Sequence, residues 1–185
     1  MSPGRKQWTE HTIARAIALQ TFARKCVVLV DNCNWTGHEC DVLAVTTDLR
    51  IIDVEVKISR ADLKADAKKD KWWIRLGWSG LAGPPQLRPH PPKVWKHYYA
   101  LPREIWKPDL LDCLPSTASG VLLLDEAGYP RGVDQRMRVD CVRRAAPNRD
   151  ATRLQPEQVM DIARLANLRM WEAYHRAEPK VEALA

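Results

Sequence analysis

The sequence predicts a single α/β domain of 185 residues, with a mixed β-sheet flanked by helices. Three observations lead there. Two strand-like runs, 39–46 and 50–58, are separated by the short turn Thr47-Asp48-Leu49, which suits an antiparallel hairpin. Two continuous apolar runs, 26–30 and 120–124, read as strands covered on both faces. Around them lie stretches whose apolar residues recur with helical spacing. An apolar content of 45% and a charged content of 28% fit a globular chain with one core.

Each element follows from its own residues. Residues 9 to about 24 read as a helix with Thr9 as N-cap and Ile13, Ala14, Ile17 and Ala18 as the inward stripe. Residues 31–37 read as a loop. A further helix begins at Ser59, where Ser59-Arg60-Ala61-Asp62 fits the S-x-x-D form of a capping box, and runs to about Ile74. On it, Arg60, Lys64, Lys68, Lys71 and Arg75 form one basic row, and Asp62, Asp66 and Asp70 a separate acidic row. Gly77 to Pro92 holds five of the 13 prolines and three glycines, which argues for a long loop rather than regular structure. Residues 94–101 read as a strand ended by Pro102, and 104–114 as a short helix or turn. Residues 136–144 read as a strand with Met137, Val139 and Cys141 on one face. Pro156 opens a last helix, and the tail from Ala177 frays.

The hairpin holds the chemistry. Strand side chains alternate faces, so Glu39 and Asp41 share one face of the first run, and Asp53, Glu55 and Lys57 share one face of the second. Pairing the runs brings carboxylates and an ammonium side by side. Clustered carboxylates repel and raise each other's pKa, which a hard divalent cation relieves. Such a cation lowers the pKa of a bound water and polarises a phosphoryl oxygen, and a nearby Lys stabilises the charge that develops. The competing reading is an edge hairpin with one solvated face.

Asp41, followed on the next strand by Glu55-Val56-Lys57, resembles the D…(D/E)-x-K motif of the PD-(D/E)XK nuclease superfamily. The run Lys57-Ile58-Ser59-Arg60-Ala61-Asp62-Leu63 is similar to that of MmcB-like DNA repair proteins and related phage and prophage proteins. In the phage group an ECD run, an EVKIS-R-DLK-D run and a YYALP run recur in this order. Here they are Glu39 to Asp41, Glu55 to Asp66 and Tyr98 to Pro102. The resemblance implies a restriction-endonuclease-like core and a Mg²⁺- or Mn²⁺-dependent DNA endonuclease. It further implies that Asp41, Glu55 and the backbone carbonyl of Val56 hold the metal, and that Lys57 positions the attacking water. Glu10, an acid on the first helix, and Glu39 are second-rank candidates for the metal site. Glu10 read on its own is an acid suited to the positive end of a helix. Ser59, Arg60, Lys64, Lys68 and Lys71 are the candidate phosphate contacts; pairing of Asp with Lys along the helix is the alternative. A non-catalytic nucleic-acid-binding module and a protein–protein adaptor on the same fold are the rival functions.

The net charge of +6 suits DNA as a polyanionic partner. No apolar run reaches membrane-spanning length and no secretory signal opens the chain, which gives the expectation of a cytoplasmic protein in a bacterial or phage-infected cell. Cleaving both strands of a duplex needs two active sites, which is compatible with a homodimer. Trp72, Trp73 and Trp78 beside basic residues suit base stacking or core packing. The five cysteines contain no C-x-x-C pair, so buried reduced thiols are expected. Cys33, His38 and Cys40 offer metal-ligand chemistry, but their spacing matches no strong zinc signature.

Overall fold

The computed structural model describes residues 8–74, 84–126 and 137–177. Its centre is a six-stranded mixed sheet in the order β1-β2-β3-β6-β7-β8, with a separate two-stranded β4-β5 ribbon. The strands are β1 Cys26–Cys33, β2 Cys40–Thr46, β3 Ile51–Val56, β4 Trp73–Ile74, β5 Gln86–Leu87, β6 Val94–Pro102, β7 Gly120–Glu126 and β8 Met137–Arg143. β1 pairs antiparallel with β2 and β2 with β3, β6 lies parallel to both β3 and β7, and β8 closes the sheet antiparallel to β7. The expected α/β class with a mixed, helix-flanked sheet is what the chain adopts.

Both faces are covered. Helix α1 (Glu10–Ala16) packs Ile13 and Ala16 against Val42, Ala44, Val54 and Val56. Thr9 caps it as expected, closing a reciprocal capping box with Thr12. The chain then widens into a π-helical turn over Ile17–Phe22. On the opposite face, α3 (Pro156–Ala177) lays Ile162 against Val30, Leu43, Val45 and Ile51. Beside it, α2 (Arg60–Ala65) and two 3₁₀ turns cover Tyr99, Leu101, Val121 and Leu123 with Leu63, Trp72 and Leu110.

Three expectations need correction. The strand β1 extends to Cys33, through residues read as a loop, and Asn32 takes a left-handed φ of 45° that interrupts its alternation. Val30 and Cys33, three apart, therefore share one cluster. The helix after Ser59 does not continue to residue 74. It ends at Ala65, gives way to 3₁₀ turns at Asp66–Lys68 and Asp70–Trp72, and breaks where Lys69 turns extended at ψ 139°. The Pro/Gly-rich stretch is not wholly irregular, because Gln86–Leu87 pairs with Trp73–Ile74. Arg75, Trp78 and the glycines of that stretch lie outside the described residues.

Candidate active site

The site is built at the C-terminal end of β3, deep in the sheet. Val54 and Val56 face α1, so Asp53, Glu55 and the succeeding Lys57 face the other way. The parallel register sets Asp53 beside His97 and Glu55 beside Tyr99 on β6. Polar side chains thus occupy the middle of a buried surface: Asp53, Glu55, Lys57 and His97 are all 2% exposed or less.

Asp41 on β2 joins them. Its Oδ2 accepts a 2.6 Å hydrogen bond from the backbone N–H of Val56, which fixes it beside Glu55. Lys57 anchors its own backbone by donating to the carbonyl of Ala100, and its Nζ lies 3.2 Å from Glu55, 3.0 Å from Asp66 and 3.6 Å from Asp62. The expected Asp41, Glu55 and Lys57 group is therefore brought together.

Other residues complete it. Lys69 reaches back to Glu55 and Asp66, each at 3.1 Å, and Lys71 pairs with Glu55 and stands 3.8 Å from Asp53. Asp66 is buried and accepts from the Tyr99 hydroxyl at 2.6 Å and the Trp72 indole N–H at 3.0 Å. Four inner carboxylates (Asp41, Asp53, Glu55, Asp66) thus meet three ammonium groups (Lys57, Lys69, Lys71), one more negative than positive group, and Asp62 at the exposed edge adds to the excess.

The electrostatics show where that excess falls. Burial, then the Glu55 charge, push the Asp41 carboxyl up to about 7. Burial also disfavours the Glu55 and Asp66 carboxylates, but Lys71 and Lys57 outweigh it and hold both below the ordinary range. Burial works against the Lys57 ammonium too, and the Glu55 and Asp66 carboxylates outweigh that and raise its pKa. Asp41 is the carboxylate that its neighbours leave in want of a cation or a proton.

The remaining candidates fall elsewhere. Glu10 stands exposed in the first turn of α1, the helix on the opposite face, and Glu39 is exposed just before β2. Among the described residues neither has a hydrogen bond or ion pair with Asp41, Glu55 or Lys57. Ser59 caps α2 by accepting from the N–H of Asp62 at 3.1 Å. Arg60, Lys64 and Lys68 are exposed, with Arg60 Nε donating to the carbonyl of Ile105 at 2.6 Å. Lys71 is not on that surface. The break at Lys69 turns it inward to 7% exposure, which removes it from the basic row. Trp72 is a fully buried core residue.

Asp66, Lys69, Tyr99 and His97 were not singled out by the sequence. Asp66 sat in an acidic row that suggested a solvated helix face, and His97 and Tyr99 sat inside an apolar strand pattern. A polar residue in the middle of a strand destined for full burial was the one signal present.

The donors suit a hard divalent cation. Asp41 keeps Oδ1 free of the Val56 bond, Glu55 lies beside it, and a bound cation would answer the uncompensated charge. Glu55 meets that role only if the half-exposed Lys69 releases it.

No family model matches the chain, and no curated protein matches it. Among solved structures the fold is similar to SPO1766, a protein of unknown function from Silicibacter pomeroyi. That likeness has a TM-score of 0.55 at 18% identity and covers 96% of this chain and 100% of the other. At this identity it speaks for the fold alone: a mixed six-stranded sheet flanked by helices. Among the described residues no helix is long and apolar enough to cross a membrane.

Proposed function

We propose that this chain is a metal-dependent DNA endonuclease with a restriction-endonuclease-like core, acting in phage or repair DNA processing. The observation that carries the reading is the buried convergence of Asp41, Glu55 and Lys57 with one carboxylate left uncompensated. Asp41, Glu55 and the carbonyl of Val56 would hold Mg²⁺ or Mn²⁺. When bound, the cation supplies an acidified water and charge neutralisation at the phosphoryl oxygens.

The chain's own residues supply the rest. Asp41 is oriented by the Val56 N–H, so its free oxygen has a fixed position. Lys57, held between Glu55 and Asp66, orients the attacking water and offsets the negative charge that grows on the phosphorus-bound oxygens. Asp66 keeps Lys57 in place and is itself held by Tyr99 and Trp72. Lys69, 48% exposed at its side chain, leaves Glu55 for a scissile or neighbouring phosphate. The exposed Arg60, Lys64 and Lys68, directly after the site, bind backbone phosphates without reading sequence.

One observation favours a second reading, a non-catalytic nucleic-acid-binding module. Both Glu55 oxygens already face ammonium groups, of Lys57, Lys69 and Lys71. In that module the lysines replace the cation permanently.

Incubation of the protein with supercoiled, linear and single-stranded DNA in Mg²⁺ or Mn²⁺ separates the two. The nuclease gives cleavage products that chelator abolishes. DNA bound but intact on every substrate in either metal makes the chain a binding module.

A further inference from the structure

A second cluster lies two residues along β3 from the first and has different chemistry. His38, Cys40 and Asp53 place ligand atoms within 4.8 Å of one another. His38 Nε2 is 3.1 Å from Asp53 Oδ2, and Cys40 Sγ is 3.8 Å from His38 Nε2. His97, fully buried on β6, brings its Nε2 to 3.9 Å from the same Asp53 oxygen.

We propose that His38, Cys40 and Asp53 form a zinc site, with His97, which touches the trio through Asp53, drawn in as the fourth ligand when the metal binds, so that β2, β3 and β6 are pinned together. Bonds of about 2.3 Å to sulfur and about 2.0–2.1 Å to nitrogen or oxygen give tetrahedral edges of about 3.3–3.6 Å. The 3.1 and 3.8 Å separations within the trio and the 3.9 Å from His97 to Asp53 lie close to those edges, and His97 closes toward His38 and Cys40 to complete the tetrahedron.

Three further features mark a built site rather than a chance meeting of polar groups. Both imidazoles are oriented by their far nitrogen: His38 Nδ1 lies 3.2 Å from the Thr36 hydroxyl, and His97 Nδ1 lies 3.0 Å from the Ser119 hydroxyl. A zinc-binding histidine is characteristically held that way, with the other nitrogen left for the metal. Second, His97 Nε2 and Asp53 Oδ1 have no hydrogen-bond partner although both are buried. A simple buried His38–Asp53 pair would leave the His97 nitrogen unsatisfied, at real cost, whereas zinc takes its lone pair. Third, the donor set is borderline-soft, one sulfur and two imidazoles, which selects zinc over the hard cation suited to Asp41 and Glu55.

The charges balance as well. Binding displaces the thiol proton of Cys40, and the thiolate with the Asp53 carboxylate neutralises the dication. Lys71, 3.8 Å from Asp53, then turns wholly to Glu55. The site stands independently of DNA cleavage. Its role is to fix the segment leading into Asp41 against the centre of the sheet.

The test is the metal content of the full chain, purified without metal-affinity resin and incubated with stoichiometric Zn²⁺, followed by Co²⁺ exchange. The proposal expects about one zinc per chain, together with tetrahedral ligand-field bands and a thiolate-to-cobalt charge-transfer band. Cys40→Ser removes the charge-transfer band and weakens retention about 10-fold or more, while Asp41→Ala leaves both unchanged. If Cys40→Ser fails to fold, the wild-type cobalt spectrum decides. Absence of bound zinc and of the charge-transfer band in the folded wild type overturns the proposal. So does zinc that survives Cys40→Ser and is lost in Asp41→Ala.

Discussion

Asp41 carries the one negative charge that its neighbours leave unanswered, so its substitution separates stability from function. A carboxylate buried beside Glu55 costs free energy in the folded chain unless a cation or a proton meets it. Asp41→Asn keeps an oxygen that accepts from the Val56 N–H and removes the charge. In chelator at pH 8 we expect the variant to be more stable by about 1 kcal/mol, roughly 2–4 °C in melting temperature for a chain of this size. Added Mg²⁺ should stabilise the wild type and leave Asp41→Asn unmoved. Equal Mg²⁺ responses in thermal melts would remove Asp41 from the metal site. Asp41, Glu55 and Lys57 were legible because strand alternation is a local rule and a two-residue spacing puts Glu55 and Lys57 on one face. Asp66 and Lys69 were not, because their roles depend on where the chain turns after α2, which local spacing does not encode.

Among the elements, β6 does most to shape the site, since it lies parallel to β3 and delivers His97 and Tyr99 to the polar surface. Its partner β7 begins at Gly120, where a Cβ would overlap the Tyr98 ring and come within 2.7 Å of the Ala145 backbone nitrogen. Gly120→Ala should therefore strain the β6–β7 junction and cost about 1–3 kcal/mol, read as a lowered urea midpoint with an unchanged slope. A midpoint equal to wild type would mean that Tyr98 swings clear without cost. At this scale the alternating and continuous apolar runs announced the strands well. The misread element was the helix after Ser59. Its capping signal was real, but Asp66 bonds inward to Trp72, Tyr99 and Lys57, and these tertiary contacts override helical propensity beyond Ala65 and break both charge rows. With the helix gone, the single basic row dissolves, Lys71 becomes part of the interior and only Arg60, Lys64 and Lys68 remain outward.

Across the whole molecule, the buried charge cluster couples the fold to pH. Burial raises the Asp66 carboxyl, but Lys71, Lys57 and the Tyr99 hydroxyl outweigh it and hold Asp66 below its ordinary value. Asp53 and Glu55 are depressed likewise against their burial, chiefly by Lys71. A depressed carboxyl contributes stability that is present above its unfolded pKa and lost as pH falls through the folded value. The chain should therefore lose stability steeply below about pH 4, where unfolded carboxylates begin to take up protons. Asp66→Asn should cost about 3 kcal/mol at pH 7, because it leaves a buried lysine short of its partner. It should also make the acid limb shallower. An acid limb of unchanged steepness would show that Asp66 titrates alike in the folded and unfolded chain. The α/β class and the β2–β3 hairpin were readable from patterning. The charge network was not, because it joins residues from 41 to 99 through a sheet whose order only the folded chain shows.

The central claim, that Lys57 and its two carboxylate neighbours hydrolyse phosphodiester bonds, is tested most directly by the single-turnover cleavage rate of Lys57→Ala, with DNA affinity measured in parallel. The account predicts a rate at least about 100-fold below wild type, with affinity little changed. Wild-type cleavage by a rigorously purified Lys57→Ala protein would contradict it and place the chemistry elsewhere in the molecule.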